Sequence, residues 1–160
     1  MQMYNMKTIE LKIRQVIHRR DAVMGRLTIN GNYVADTAER AQYQLPAGRY
    51  DLELVPCVCC KRQMIRIWKP GEKYRPCPDC QHCRLIRWGN GVYRLPHPTV
   101  LIGKYRVPGV LTQTRELFNM LFERLRKSID RDHKAYLIIQ PGNSSQIAER
   151  TFFRFSFLGK

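Results

Sequence analysis

The 160-residue sequence predicts a mainly β (α+β) domain with one principal helix, at about 112–128, and a small cysteine-rich module inserted near the middle. Three observations carry this expectation. Apolar residues alternate with polar ones in several short stretches. Apolar residues recur at helical spacing in one convincing place only, and all six cysteines fall between positions 57 and 83. Apolar residues make up 44% of the chain, enough for one core, so 1–160 reads as a single domain.

The elements follow in order. Ile9, Leu11 and Ile13 alternate with Glu10, Lys12 and Arg14, the pattern of a half-buried strand. Leu27–Ile29 and Tyr33–Ala35 flank Asn30-Gly31-Asn32, and an Asn-Gly pair between apolar runs predicts a hairpin because glycine tolerates positive φ. Pro46-Ala47-Gly48 turns the chain into a strand through Tyr50, Leu52 and Leu54. The cysteine module occupies 57–83 and shows little regular pattern. Leu85–Trp88 and Val92–Leu95 around Gly89-Asn90-Gly91 read as another hairpin, and Thr99–Ile102 as a short strand. Between Thr112 and Ser128, residues Leu117, Phe118, Leu121, Phe122 and Leu125 share one helical face. Thr112 or Thr114 suits the cap of that helix, and Glu116 its first turn. Tyr136–Ile139 reads as a strand. The C-terminal extension, 140–160, holds an alternating aromatic strand over Thr151–Leu158.

The cysteines carry the sharpest chemical signal. Cys57 and Cys60, then Cys77 and Cys80, give CxxC, sixteen residues, CxxC. Two thiolates three positions apart bend a tight knuckle around one ion, and two knuckles close a tetrahedron. A structural zinc ion is therefore expected, with no open coordination position for catalysis. Cys59, Cys83 and His82 are alternate ligands, since Cys80 also makes CxxC with Cys83. Disulfides are the competing use of six cysteines. The tight clustering favours metal, as does Met1–Lys7, which lacks the apolar middle of an export signal. With no apolar run of 18 residues to span a membrane, these features predict a cytoplasmic protein, in the host cytosol or the virion if the chain is viral.

The formal charge of +15 favours an anionic partner: nucleic acid or another anionic polymer. Nine basic residues against two acidic ones fall between Cys57 and Arg94. Arg62, Arg66, Lys69, Lys73, Arg75, Arg84 and Arg87 are candidate phosphate contacts, with Trp68 a candidate stacking platform for an unpaired base. The alternative use of Trp68 and Tyr74 is as apolar cover over the metal knuckles.

Three further segments carry a resemblance. They are Gly25-Arg26-Leu27-Thr28-Ile29-Asn30-Gly31-Asn32-Tyr33, then Asp36-Thr37-Ala38-Glu39, then Pro46-Ala47-Gly48-Arg49-Tyr50. In order and spacing the chain resembles a family of small domains of unknown function found in bacteriophages and mobile elements, similar to L,D-transpeptidases. The resemblance implies an L,D-transpeptidase-like β domain, here interrupted by a zinc-ribbon-like finger. Members carry Ile-His-x-Gly-Asn and a later Gly-Cys, where the cysteine attacks a peptidoglycan peptide and the histidine assists. This chain reads Ile86-Arg87-Trp88-Gly89-Asn90 and Pro98-Thr99-Val100-Leu101-Ile102-Gly103, with Arg87 at the histidine position and Thr99 at the cysteine position. Arginine is no base near neutral pH. A threonine hydroxyl needs an adjacent base, for which His97 is the one candidate. The expectation is a degenerate active site with no catalytic residue, and a non-enzymatic binding or assembly module contacting nucleic acid. A peptidoglycan-acting enzyme and a purely structural virion component, held by other virion or assembly proteins, are the alternatives.

Overall fold

The computed structural model describes residues 7–57, 60–72, 83–93, 95 and 98–142. Strands β1 (Thr8–His18), β2 (Ala22–Ile29) and β3 (Asn32–Arg40) form an antiparallel meander. β4 (Gly48–Cys57) and β5 (Arg62–Trp68) form a second hairpin, followed by β6 (Leu85–Arg87), β7 (Thr99–Val107) and β8 (Val110–Thr112). The helix α1 (Thr114–Asp130) then leads directly into β9 (Lys134–Gln140). The mainly β expectation with one principal helix holds for these residues.

The strands run in the order β3-β2-β1-β9-β4-β5-β6-β7, and β7 pairs back onto β3. The result is a closed eight-stranded barrel, with β8 attached outside as the return strand of a β7 hairpin. Closure removes exposed edges, and eight strands leave an interior that side chains can fill. Leu11, Ile13, Leu27, Ile29, Leu52, Ile65, Ile67, Ile86, Val100 and Leu137 fill it. At Gly25 a side chain would meet the Thr37 hydroxyl at 2.6 Å and Ile13 at 2.8 Å, so the glycine lets two strands' side chains interlock across it.

The β2–β3 turn forms as its sequence predicts. Ile29 pairs with Asn32, and Asn30 (φ 48°) and Gly31 (φ 90°) both take left-handed conformations. That combination matches the strand twist.

The helix lies across the barrel end that carries Thr8, Asn30 and Cys57. Phe118, Leu121, Phe122 and Leu125 face the main core, and the Phe118 ring meets Trp88 edge-on at 5.0 Å. The expected face is correct; the expected cap is not. Gln113, in a left-handed conformation (φ 53°), precedes the helix without a side-chain cap bond, and Thr114 is buried. Gly103 lies so close beneath that a side chain there would meet the Thr112 carbonyl at 2.6 Å, so the strand-to-helix connection packs directly on β7.

Two expectations need correction. The cysteine segment is not a separate insertion, because β5 lies inside it as a full barrel strand with Met64, Ile65, Ile67 and Trp68 buried. The β4–β5 register therefore belongs to the barrel. The hairpin expected across Gly89-Asn90-Gly91 does not form: β6 instead pairs in parallel with β7, and Gly91 makes an isolated bridge to Val110. Val92 packs in a second apolar cluster with Met24, Ala38, Leu101 and Leu111, on the outer face of β2, β3 and β7. The strand expected at Thr151–Leu158 lies outside the described residues.

Toward the end of the barrel opposite α1 the interior turns polar. Gln15, Thr37 and Glu39 continue the inward rows of β1 and β3 and are all buried. Glu39 accepts the Leu45 backbone N–H at 3.0 Å. Burial pushes its carboxyl up to about 7, and the bonds from Leu45 and Gln15 only partly offset this. A carboxyl raised in the folded state binds a proton that the unfolded chain has already lost. Its contribution to stability is complete below the unfolded value of about 4.5 and fades as pH rises through about 7. Urea titrations should show stability falling by up to about 3 kcal/mol between pH 5 and 8, with Glu39→Gln flattening that slope. An unchanged slope in the variant would assign the titration elsewhere.

Candidate metal knuckle and basic surface

The β4–β5 hairpin sets the geometry of the first cysteine pair. Cys57 is the last residue of β4 and pairs with Arg62, the first of β5, so four residues make the turn. The Cys60 backbone N–H points at the Cys57 sulfur, 3.4 Å away. Lys61, directly after Cys60, takes a left-handed conformation with φ 54°. An N–H aimed at sulfur stabilises the thiolate over the thiol. The left-handed residue turns the chain back into β5. Cys57 is buried and Cys60 half-buried. This turn, at the α1 end of the barrel, is a candidate half-site for a metal ion.

Of the other expected ligands, Cys77, Cys80, Cys59 and His82 lie outside the described residues. Among the described residues no three metal-ligating side chains converge. Cys83 is described and buried, but it does not lie by the knuckle. Arg66 pairs with Leu85, and the Ile67 N–H bonds the Arg84 carbonyl, which brings Cys83 beside Trp68. Six residues of β5 then separate it from the Cys57 end, about 20 Å of strand. Thiolates on one zinc ion sit roughly 4 Å apart. Cys83 is therefore no ligand of an ion held by Cys57 and Cys60, which removes it as an alternate for that site.

The basic residues of this region are mostly engaged by the protein itself. The Arg62 guanidinium lies 5.0 to 5.3 Å from the rings of Trp88, Phe118 and Phe122, tying the knuckle hairpin to α1. Arg115 covers Trp88 from the helix at 5.2 Å. Arg66 stacks on Trp68 at 3.7 Å, and Trp68, 6% exposed, offers no open face to a base. Arg84 pairs with Glu72, which also accepts the Lys69 backbone N–H at 3.0 Å. Arg87 is half-buried, with its Nε enclosed, and its guanidinium is 6.0 Å from the Trp88 ring. Lys69 is exposed. Lys73 and Arg75 lie outside the described residues. The expected use of Trp68 as a stacking platform is thus corrected: its ring, like most of the arginines around it, serves packing.

The positions compared with a catalytic pair are no better placed for chemistry. Thr99 is 3% exposed and pairs with Leu85 inside the β6–β7 ladder, while Arg87 pairs with Leu101. A buried hydroxyl in a ladder gives a large substrate no access. His97 lies outside the described residues. The cations that the sequence reading passed over are Lys12, Arg14 and Arg26, which alternate outward along β1 and β2; their period-two spacing was the available signal. Comparison of the chain with protein families, with characterised proteins and with solved structures gives no match.

The left-handed Lys61 is directly testable. Lys61→Gly relieves backbone strain and should hold or raise stability by up to about 1 kcal/mol, whereas Lys61→Val should lower it by about 1–2 kcal/mol, read by urea denaturation. Equal, null effects in both variants would contradict the turn geometry.

Proposed function

We propose that this protein is a non-enzymatic binding module: a barrel stabilised by structural zinc at the Cys57–Cys60 knuckle, presenting a cationic surface to nucleic acid. The observation that carries the metal half is the Cys60 N–H directed at the Cys57 sulfur, followed by the left-handed Lys61. The charge of +15 supports the nucleic-acid half. A metal at this place would lock the β4–β5 hairpin against α1, adding binding energy to fold stability. The reading suits a phage or mobile-element assembly protein in a reducing cytosol or in a virion. The burial of Thr99 tells against the peptidoglycan-cleaving alternative.

Spacing nominates Cys77 and Cys80 to complete the four ligands. Chain length sharpens the choice. Cys80 is three residues from Cys83, a span of at most about 11 Å, so it reaches the knuckle only if Cys83 leaves Trp68. Cys77 is five residues from Glu72 and six from Cys83, spans of at most about 18 and 22 Å, so it reaches the knuckle only on a nearly extended chain, and Cys59 is the substitute fourth ligand.

Metal analysis on protein purified without added zinc, with thiols counted on the same sample, tests the proposal. The expected result is about one zinc per chain, lost in Cys57→Ser, Cys60→Ser and Cys77→Ser, and a melting temperature lowered by more than about 5 °C on chelation. Cys80→Ser and Cys59→Ser then separate the two candidates for the fourth position. A metal-free protein with no titratable thiols would mean disulfides and overturn the proposal.

A further inference from the structure

The surface around the β2–β3 turn differs from the rest of the described molecule. Two concavities adjoin there, one on each side of Asn30-Gly31. The first, ≈ 370 Å³, lies on the outer face of β1–β3 and is lined by Lys12, Arg14, Arg26, Thr28, Gly31 and Tyr33. The second, ≈ 490 Å³, lies where α1 crosses the barrel end, and Lys7, Arg124, Lys127, Ser128 and His133 contribute to its lining. Among the described residues no carboxylate lines either one. A third concavity, over β4 and β9, is by contrast lined by Asp51 and Glu53.

The barrel's alternation places the cations. Leu11 and Ile13 point into the core, so Lys12 and Arg14 point out, and the register sets Arg14 directly opposite Arg26 and Lys12 opposite Thr28. Two guanidiniums side by side on neighbouring strands repel each other unless an anion lies between them. Thr28 in turn pairs with Tyr33, whose ring is 46% exposed. The Arg26 guanidinium stacks at 4.5 Å from that ring, fixing its orientation. A ring held on one side by a cation and still 46% exposed is a stacking platform for a planar base. Lys12 also touches Glu10, at 3.7 Å between exposed groups, a contact that an incoming phosphate readily replaces.

We infer that the Lys12, Arg14, Arg26 and Tyr33 face, continued past the β2–β3 turn to Lys7, Arg124 and Lys127, is a binding track for single-stranded nucleic acid. The cations take backbone phosphates, and Tyr33 stacks one unpaired base. The exposed ring between cations selects a single strand over a duplex, whose bases are already stacked. The inference rests on the proposed nucleic-acid reading and moves its contact surface from the cysteine region to the opposite part of the barrel wall, where Arg14 is exposed and Lys12 and Arg26 are partly exposed.

The test is fluorescence anisotropy of a labelled 20-nucleotide thymidine oligonucleotide, across a salt series, with the whole protein. Wild-type protein should bind it more tightly than a duplex of the same length. The Arg14→Ala/Arg26→Ala double variant should weaken binding at least tenfold and reduce the slope of log affinity against log salt by about 1–2. Tyr33→Ala should weaken binding by roughly 5- to 150-fold while leaving that slope unchanged. Melting curves matching wild type exclude unfolding as the cause, and Arg14→Gln/Arg26→Gln is the fallback pair. Wild-type affinity in all these variants, with loss in Lys69→Ala/Arg66→Ala, would overturn the track and leave the nucleic-acid reading standing. No binding by the wild type would sink both. Binding of heparin as tightly as the oligonucleotide, indifferent to Tyr33→Ala, would reduce the surface to a polyanion contact and overturn the inference.

Discussion

The β3–β7 pairing is the contact on which the structure depends. Without it, the remaining ladders form an open sheet, with β3 at one edge and β7 at the other. With it, Asp36 aligns with Gly103, Thr37 with Ile102 and Ala38 with Leu101, and every strand of the wall has two neighbours. The Asp36 carboxylate adds a second tie, accepting the Tyr105 backbone N–H at 2.8 Å from a nearly buried position. Closure makes one inside and one outside. The apolar rows of all eight strands converge on one core, and their alternate residues are committed to the outer surface or to the smaller cluster under β8.

That division explains where chemistry can occur. The barrel end near Cys57 is sealed by α1, through Phe118, Phe122 and the Arg62 and Trp88 side chains packed on them. The other end holds Gln15 and Glu39, a polar interior that weakens as pH rises. Among the described residues neither end combines a reachable nucleophile with a base, and the wall itself carries accessible charge.

Much of the fold was legible in the sequence where local rules decide it. The period-two rows at Ile9–Ile13 and Tyr50–Leu54, the Asn30-Gly31 turn and the apolar face of α1 depend on neighbours a few positions away, and they are as expected. What failed depended on distant partners. β5 shows no alternation in sequence because Met64, Ile65, Ile67 and Trp68 are all buried, so neighbouring positions are equally apolar. The Val92–Leu95 stretch looks like a strand but is drawn into the cluster with Met24 and Leu111 instead. At the candidate site, the Cys57–Cys60 pair falls on the β4–β5 turn, while composition misled about Arg62, Arg66 and Trp68, which pack against the protein itself. A count of basic and aromatic residues cannot distinguish a guanidinium stacked on its own protein from one available to a phosphate.

Amide hydrogen–deuterium exchange resolved by residue tests the closed barrel most directly. Closure predicts that Thr37 and Ile102, in the β3–β7 ladder, exchange as slowly as Leu11 and Leu137 in the β1–β9 ladder, all within a few-fold of the rate set by global unfolding. Exchange of the β3 and β7 amides orders of magnitude faster than those of β1 and β9 would show two free edges, and would contradict the barrel together with the inside–outside division built on it.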